Sequence, residues 1–328
     1  MLPLSAVAEG LRLATWAPEL ARNGPGLLLR DILKGEDPQI LAARRMIEAL
    51  DADVLVLTGV DYDAGLLAAR ALVGDGYPYL FALRPNTGLA TGIDLDGDGR
   101  TGGAGDAQGW GRFSGQGGMV VLSRLPLGEA RDFSGFLWRD LPGANLPPMS
   151  AAALAVQRLP TTGHWEVPVL LPGGSSLRLL LWSATAPVFD GPEDRNGRRG
   201  ADEALFWAQL IEGRLPIPPP AAPFVLMGLG NIDPSAGDGL HPAIRRLLSH
   251  PALQDPRPEA PGTGLATADF RAKAGPGLLR LDYVLPSTEL RVSGAGVLWP
   301  QTGEPLAEAA SRHRPVWVDL DLSRVPVR

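Results

Sequence analysis

The residues best placed for chemistry lie where an apolar run gives way to a Gly-rich polar turn: Phe224-Val225-Leu226-Met227, then Gly228-Leu229-Gly230-Asn231-Ile232-Asp233-Pro234. Such a run reads as a buried strand that delivers side chains to a cleft at its C-terminal end. A different chemistry is written in Asp94-Leu95-Asp96-Gly97-Asp98-Gly99. Asp94, Asp96 and Asp98 with Gly99 take positions one, three, five and six of a calcium loop, where alternate oxygen ligands wrap a large cation and glycine permits the sharp turn. Position twelve is Gly105 in place of a bidentate Glu, with Asp106 beside it. A structural Ca²⁺ and a solvated acidic loop are both open readings.

Other polar residues carry weaker signals. His164, beside Trp165, fits a hydrogen-bonded structural histidine, and His241 and His250 lack ligand spacing. Asp190, Glu193, Asp194, Arg195, Arg198 and Arg199 form a mixed-charge loop. Local pairing in a structural hairpin is the expectation there, with substrate contact as the alternative.

Composition bounds the function. A net charge of -6 over 328 residues argues against a broad nucleic-acid-binding face, since phosphate neutralisation needs clustered Lys and Arg. With no cysteine there are no disulfides, thiolate metal sites or cysteine nucleophiles. No apolar run reaches the length of a membrane span. Leu2 to Glu9 resembles the tail of a secretory signal with a small-residue cleavage site, so residues 1–10 are expected to be a tail. A periplasmic or secreted protein is expected on that basis, with a cytoplasmic one as the alternative.

The elements that must position the cleft alternate between strands and helices, which favours one α/β domain over 11–328. Strands are predicted at Leu11 to Trp16, Asp53 to Leu57, Met119 to Ser123, Ala152 to Val156, Val167 to Leu171, Leu177 to Trp182, Leu281 to Leu285, Leu290 to Leu298 and Val316 to Leu322. Helices are predicted from Gly24 through Leu33, after the Asp37-Pro38 cap, over Ala64 to Val73, over Ala201 to Ile211 with Asp202 and Glu203 at the positive dipole end, and near Ala243 to Ser249. Pro85 to Gly118 reads as a long surface excursion, and Asp255 to Gly264 as a disordered-looking loop.

Several blocks together resemble the endonuclease/exonuclease/phosphatase superfamily: the central turn, Gly24-Pro25-Gly26 with Arg30-Asp31, Asp61-Tyr62-Asp63, Asn86-Thr87-Gly88, His164-Trp165, Pro187 through Arg199, Thr267-Ala268-Asp269-Phe270 and Leu281-Asp282-Tyr283-Val284-Leu285. The Pro187–Arg199 block looks like that of a bacterial, often exported branch. The resemblance implies a four-layer α/β sandwich, DNase I-like, with two mixed, mostly antiparallel sheets packed face to face and helices outside. It also implies phosphate-ester hydrolysis with one or two divalent ions, usually Mg²⁺, held by carboxylates.

Position by position, this chain departs from that pattern. The resemblance expects an Asn where Ala17 stands, a metal-binding Glu at Gly59, a catalytic His at Ser183, an Asp at Leu229 and an Asp at Arg312. Asn231, Asp282 and His313 remain, Asp282 being the residue that orients the His. Catalytic groups act as a unit and their losses are strongly non-additive, so a catalytically inactive member is expected. Its cleft would hold a phosphate-bearing or other anionic ligand, or a partner, with Arg312, His313 and Asn231 as ligand-binding candidates. In the alternative for Arg312, it pairs with Asp282 or another leftover acid. The alternative function is an active phosphoesterase that uses Mg²⁺ or Mn²⁺ at a displaced site built from Asn231, Asp233, Asp282, His313 and acids from Asp61 or Asp63.

Overall fold

The computed structural model describes residues 10–272, 275–299 and 309–324. The signal-like segment Leu2 to Glu9 lies outside them. In chain order the strands are β1 (Gly10–Trp16), β2 (Val54–Val60), β3 (Tyr79–Phe81), β4 (Gly118–Ser123), β5 (Arg131–Asp132), β6 (His164–Leu170), β7 (Ser176–Ser183), β8 (Phe224–Leu229), β9 (Ala268–Phe270), β10 (Gly277–Leu279), β11 (Asp282–Pro286), β12 (Arg291–Val297) and β13 (Val316–Asp321). The α-helices are α1 (Leu27–Lys34), α2 (Pro38–Leu50), α3 (Leu67–Val73), α4 (Ala151–Val156), α5 (Arg195–Ile211) and α6 (His241–Leu248).

One sheet runs β12-β13-β1-β2-β4-β3 and the other β11-β8-β7-β6-β5. Each has one parallel pair, β1 with β2 and β7 with β8, and is otherwise antiparallel. Side chains alternate across a strand, which here sorts the core into layers. Leu13, Val56 and Val121 meet Val167, Leu179 and Val225 between the sheets. Ala14, Leu55 and Leu57 face outward onto Ile40 and Ile47 of α2. Leu180 and Leu226 face outward onto Phe206 and Leu210 of α5 and Ile244 and Leu247 of α6. The result is the four-layer sandwich, and double-faced burial explains why the central strands read as unbroken apolar runs.

Local chemistry corrects some of the predicted elements. Ala152 to Val156 belongs to a helix, because Ser150 Oγ accepts from Ala153 N at 3.1 Å and alanine-rich sequence propagates the turn that this cap starts. α5 begins at Arg195, so the Pro187–Arg199 segment is half helix, and Asp202 and Glu203 are buried mid-helix acids that lie beyond the dipole end. The 85–118 excursion is only partly on the surface. Asn86, buried, donates through Nδ2 to Ser134 O at 2.8 Å and Pro160 O at 2.7 Å. β3, β5 and the β9–β10 hairpin are too short to carry periodicity in the sequence. The Asp255–Gly264 loop is ordered, with Ala260 bridged to Gly264 and Asp255 bound to Arg280. Among the described residues no helix is long and apolar enough to cross a membrane.

Candidate active-site cleft

The central turn is built by backbone contacts that leave little room for side chains. Gly228 has φ 140°, and a Cβ there would lie 2.0 Å from Trp182 O, so only glycine lets β8 pair with β7 at this point. Gly230 N donates to Leu281 O at 2.8 Å, closing the turn onto the approach to β11. Asn231, at φ 55°, donates through Nδ2 to Ala184 O at 2.6 Å. The Asp233 carboxylate accepts from Ser235 N and Ala236 N at 2.8 Å and from Arg280 N at 2.7 Å, so it shapes the backbone. Tyr283 OH lies 2.7 Å from both Ile232 O and Arg280 O.

Asp282 and His313 form a buried pair: Nδ1 is 2.9 Å from Asp282 Oδ2, which also accepts from Thr267 Oγ1 at 2.9 Å. Burial alone would lower the pKa of the His313 ring. The charge of Asp282 and its hydrogen bond more than offset this, so the pKa is raised and the imidazolium is favoured. Nδ1 is committed to Asp282, and among the described residues Nε2 has no hydrogen-bond partner.

Beside this pair stands a carboxylate that sequence reasoning missed. Glu19, at φ 53°, accepts from Arg312 N at 2.9 Å through Oε2 and from Arg312 Nε at 2.9 Å through Oε1, with Nη2 also on Oε1. Ser311 Oγ sits 3.0 Å from Glu19 Oε2 and 2.6 Å from Ala17 O. Burial would raise the pKa of Glu19, but the hydrogen bonds and charge of Arg312 outweigh it and hold the pKa below the usual range. The Arg312 guanidinium also lies over the Phe270 ring, 5.0 Å from its centroid. Arg312 therefore pairs with a leftover acid, which is Glu19 and not Asp282.

The positions expected to bind metal are apolar or empty of side chain. Ala17 and Leu229 are buried in one cluster with Ala268, Leu279 and Leu281. Gly59 sits at a β-bulge with φ 69°, and its nearest neighbour, 3.9 Å from where a Cβ would be, is the backbone of Glu19. Ser183, also buried, ends β7 opposite Leu229. Asp61 accepts from Arg22 N and Gly117 N, and Asp63 from Leu67 N and Ala68 N, so both carboxylates are spent on backbone. A hard divalent cation needs several carboxylate oxygens converging on it, and among the described residues no such group is found in this cleft.

Among the described residues, three acidic or imidazole groups converge within 4.8 Å in one place, at Asp94, Asp96 and Asp106. Asp98 is not part of that group; its Oδ1 accepts from Arg100 N at 2.8 Å. The nearly calcium-like spacing thus brings in Asp106, the residue next to position twelve.

The Pro187–Arg199 block is structural where its side chains are buried. Arg199 donates through Nε to Leu159 O at 2.8 Å and through Nη2 to Gln108 O and Arg158 O at 2.6 and 2.9 Å, tying α5 to the 85–118 segment. Glu203 accepts from Thr161 N at 2.7 Å and Thr185 N at 2.6 Å. His164 is fully buried between Phe206 and Trp207, with ring centroids 4.8 and 5.0 Å away. Neither of its ring nitrogens has a hydrogen-bond partner, which contradicts the hydrogen-bonded histidine expected from sequence.

Residues 28–313 match the model of the Endonuclease/Exonuclease/phosphatase family. No curated relative matches the sequence. Among solved structures, an endonuclease/exonuclease/phosphatase from Beutenbergia cavernae DSM 12333 is 20% identical at TM-score 0.58, covering 98% of this chain and 73% of that one. A sphingomyelinase C from Streptomyces griseocarneus is 17% identical at TM-score 0.56, covering 94% and 99%. A mannosyl-6-phosphatase from Bacteroides thetaiotaomicron VPI-5482 is 15% identical at TM-score 0.52, again covering 94% and 99%.

Proposed function

The chain belongs to the endonuclease/exonuclease/phosphatase family, and from that premise we propose that it is a non-hydrolytic member whose cleft holds an anion in place of a catalytic metal ion. One observation carries this reading: Glu19, the carboxylate whose backbone lies beside Gly59, is paired with Arg312, while Ala17 and Leu229 are buried in an apolar cluster. A cleft of this kind offers hydrogen-bond donors from two ion pairs, Arg312–Glu19 and His313–Asp282. His313, whose pKa is raised by Asp282, supplies Nε2–H in its protonated form, and the exposed Arg312 supplies Nη1, its Nε and Nη2 being bonded to Glu19. One N–H of Asn231 is spent on Ala184 O, which leaves its amide a minor contributor. A phosphate monoester or inorganic phosphate would be bound there without an activated water to attack it.

A second reading rests on one observation as well. Glu19 projects from backbone that lies beside Gly59, so if Arg312 swung away it could stand in for the missing ligand, with Asn231, Asp282 and His313 completing a displaced site. Hydrolysis of bis(p-nitrophenyl) phosphate with Mg²⁺, Mn²⁺ or Ca²⁺ separates the two. The expected result is no metal-dependent turnover, with phosphate binding heat that falls on Arg312→Ala. Metal-dependent turnover that Glu19→Gln abolishes would establish the second reading and remove the first.

A further inference from the structure

A cavity of about 820 Å³ opens behind the central turn, between that turn, α6, the Asp255–Leu265 loop and the approach to β11. We propose that it is a second anion site, distinct from the cleft, for a small organic anion with a carboxylate or phosphate head and an apolar body. The two sites lie on opposite sides of one chain segment. Leu279 and Leu281 join the apolar wall of the cleft, whereas the alternating residues Leu278 and Arg280 line the cavity. The volume is within the range of sites that enclose small molecules, about 300–1,000 Å³.

The charges favour an anion. Two acids line the cavity, and both are internally satisfied: Asp233 by backbone N–H groups, and Asp255 by the two Nη atoms of Arg280 at 2.6 and 2.8 Å. Arg245 and Arg257 line the same space; Arg245 Nη1 donates to Pro234 O at 2.6 Å, and the charge of Arg257 helps to hold the Asp255 carboxyl below its usual range. The net field is therefore positive. Two further polar groups on the lining residues are shielded from solvent and have no hydrogen-bond partner, Arg280 Nε and Thr263 Oγ1. Neither atom is reachable from the cavity, so the head group falls to the exposed side chains of Arg245 and Arg257. Leu248, Leu265 and Leu278 offer the rest of the surface to an apolar body.

Phenyl phosphate, benzoate and inorganic phosphate, each titrated into the full chain by calorimetry, test the assignment and separate the two head groups. Phenyl phosphate or benzoate should bind saturably and more tightly than inorganic phosphate. That affinity should fall at least about tenfold in the Arg245→Ala/Arg257→Ala double variant, as expected when charge-assisted contacts are lost. Because the cleft also takes phosphate monoesters, the titrations are repeated in Arg312→Ala, where benzoate binding and the remaining phenyl phosphate binding should persist and keep their dependence on Arg245 and Arg257. Both arginines are exposed, and an unchanged unfolding temperature will confirm that the double variant folds. Absence of saturable binding, equal affinity when Arg245→Ala/Arg257→Ala is added to Arg312→Ala, or loss of all saturable binding in Arg312→Ala alone each overturns the proposal. Benzoate carries no ester, so its arm does not depend on whether the cleft itself hydrolyses one.

Discussion

At the scale of single residues, the cleft contains two acid–base pairs with opposite energetic characters. Arg312–Glu19 is solvent-facing, with side-chain exposures of 62% and 29%. Exposed pairs contribute little after screening and side-chain ordering, so Arg312→Ala should change stability by less than about 1 kcal/mol in urea unfolding. Asp282–His313 is buried, at 0% and 7% exposure, and truncating one partner leaves the other uncompensated. Asp282→Ala should therefore cost about 3 kcal/mol or more in the same measurement. Similar costs for the two variants would contradict this division. The pH dependence follows from the raised His313 pKa: its stabilisation is full below the unfolded value of 6.5 and is lost as pH rises through the folded value.

At the scale of elements, two glycines decide how the strands deliver the site. A Cβ at Gly228 would overlap Trp182 O, and neither strand can retreat without breaking the β7–β8 ladder. Gly228→Ala should fail to fold or lose more than about 3 kcal/mol by calorimetry, a loss larger than most single substitutions cause. Gly59 has space around it but a left-handed backbone. Gly59→Glu, the change that would restore a family-like carboxylate, should fold with a penalty of about 1–2 kcal/mol from φ alone. A neutral or stabilising effect would mean that the bulge relaxes. Little of this conformational demand was legible in the sequence: the glycines were visible, but the bulge and the close approach to Trp182 arise from pairing between strands remote in the chain. The strand at Ala152 to Val156 failed for the converse reason, since a six-residue segment is governed by its Ser150 cap and its alanines.

At the scale of the whole molecule, the layer between the second sheet and α5 holds two groups with displaced pKa values. Burial, with a smaller contribution from Arg199, lowers His164 to about 3, and burial raises Glu203 to about 7 despite Arg199 and the backbone donors. His164 contributes stability that is complete above its unfolded value of 6.5 and is lost as pH falls toward 3. Glu203 acts in the opposite sense, contributing fully below 4.5 and losing this as pH rises through 7. Between 4.5 and 6.5 the two slopes cancel. Urea unfolding of the wild type should show a flat contribution there and a decline below 4.5, on the order of 1 kcal/mol per pH unit. In His164→Phe the acid decline should disappear and stability should instead rise as pH falls from 7 to 4.5. An unchanged pH profile in that variant would show that His164 does not titrate as its burial dictates.

The sequence by itself determined the α/β class, because apolar alternation and helix caps are local properties, while the four layers were implied by the family resemblance; it also determined which expected acids are absent, because that is a matter of residue identity. Through the resemblance it also marked Asp282 as the partner of His313, which the structure places 2.9 Å apart. Only the tertiary structure decided what Arg312 holds. Glu19 lies 293 residues away along the chain and reaches Arg312 because β1 and β13 pair, so no spacing rule could have joined them. The same holds for Arg280, Arg245 and Arg257, which face one cavity because a turn, a helix and a loop converge there. Electrostatic partnership depends on distance through space, and that distance is fixed by the packing of the sheets.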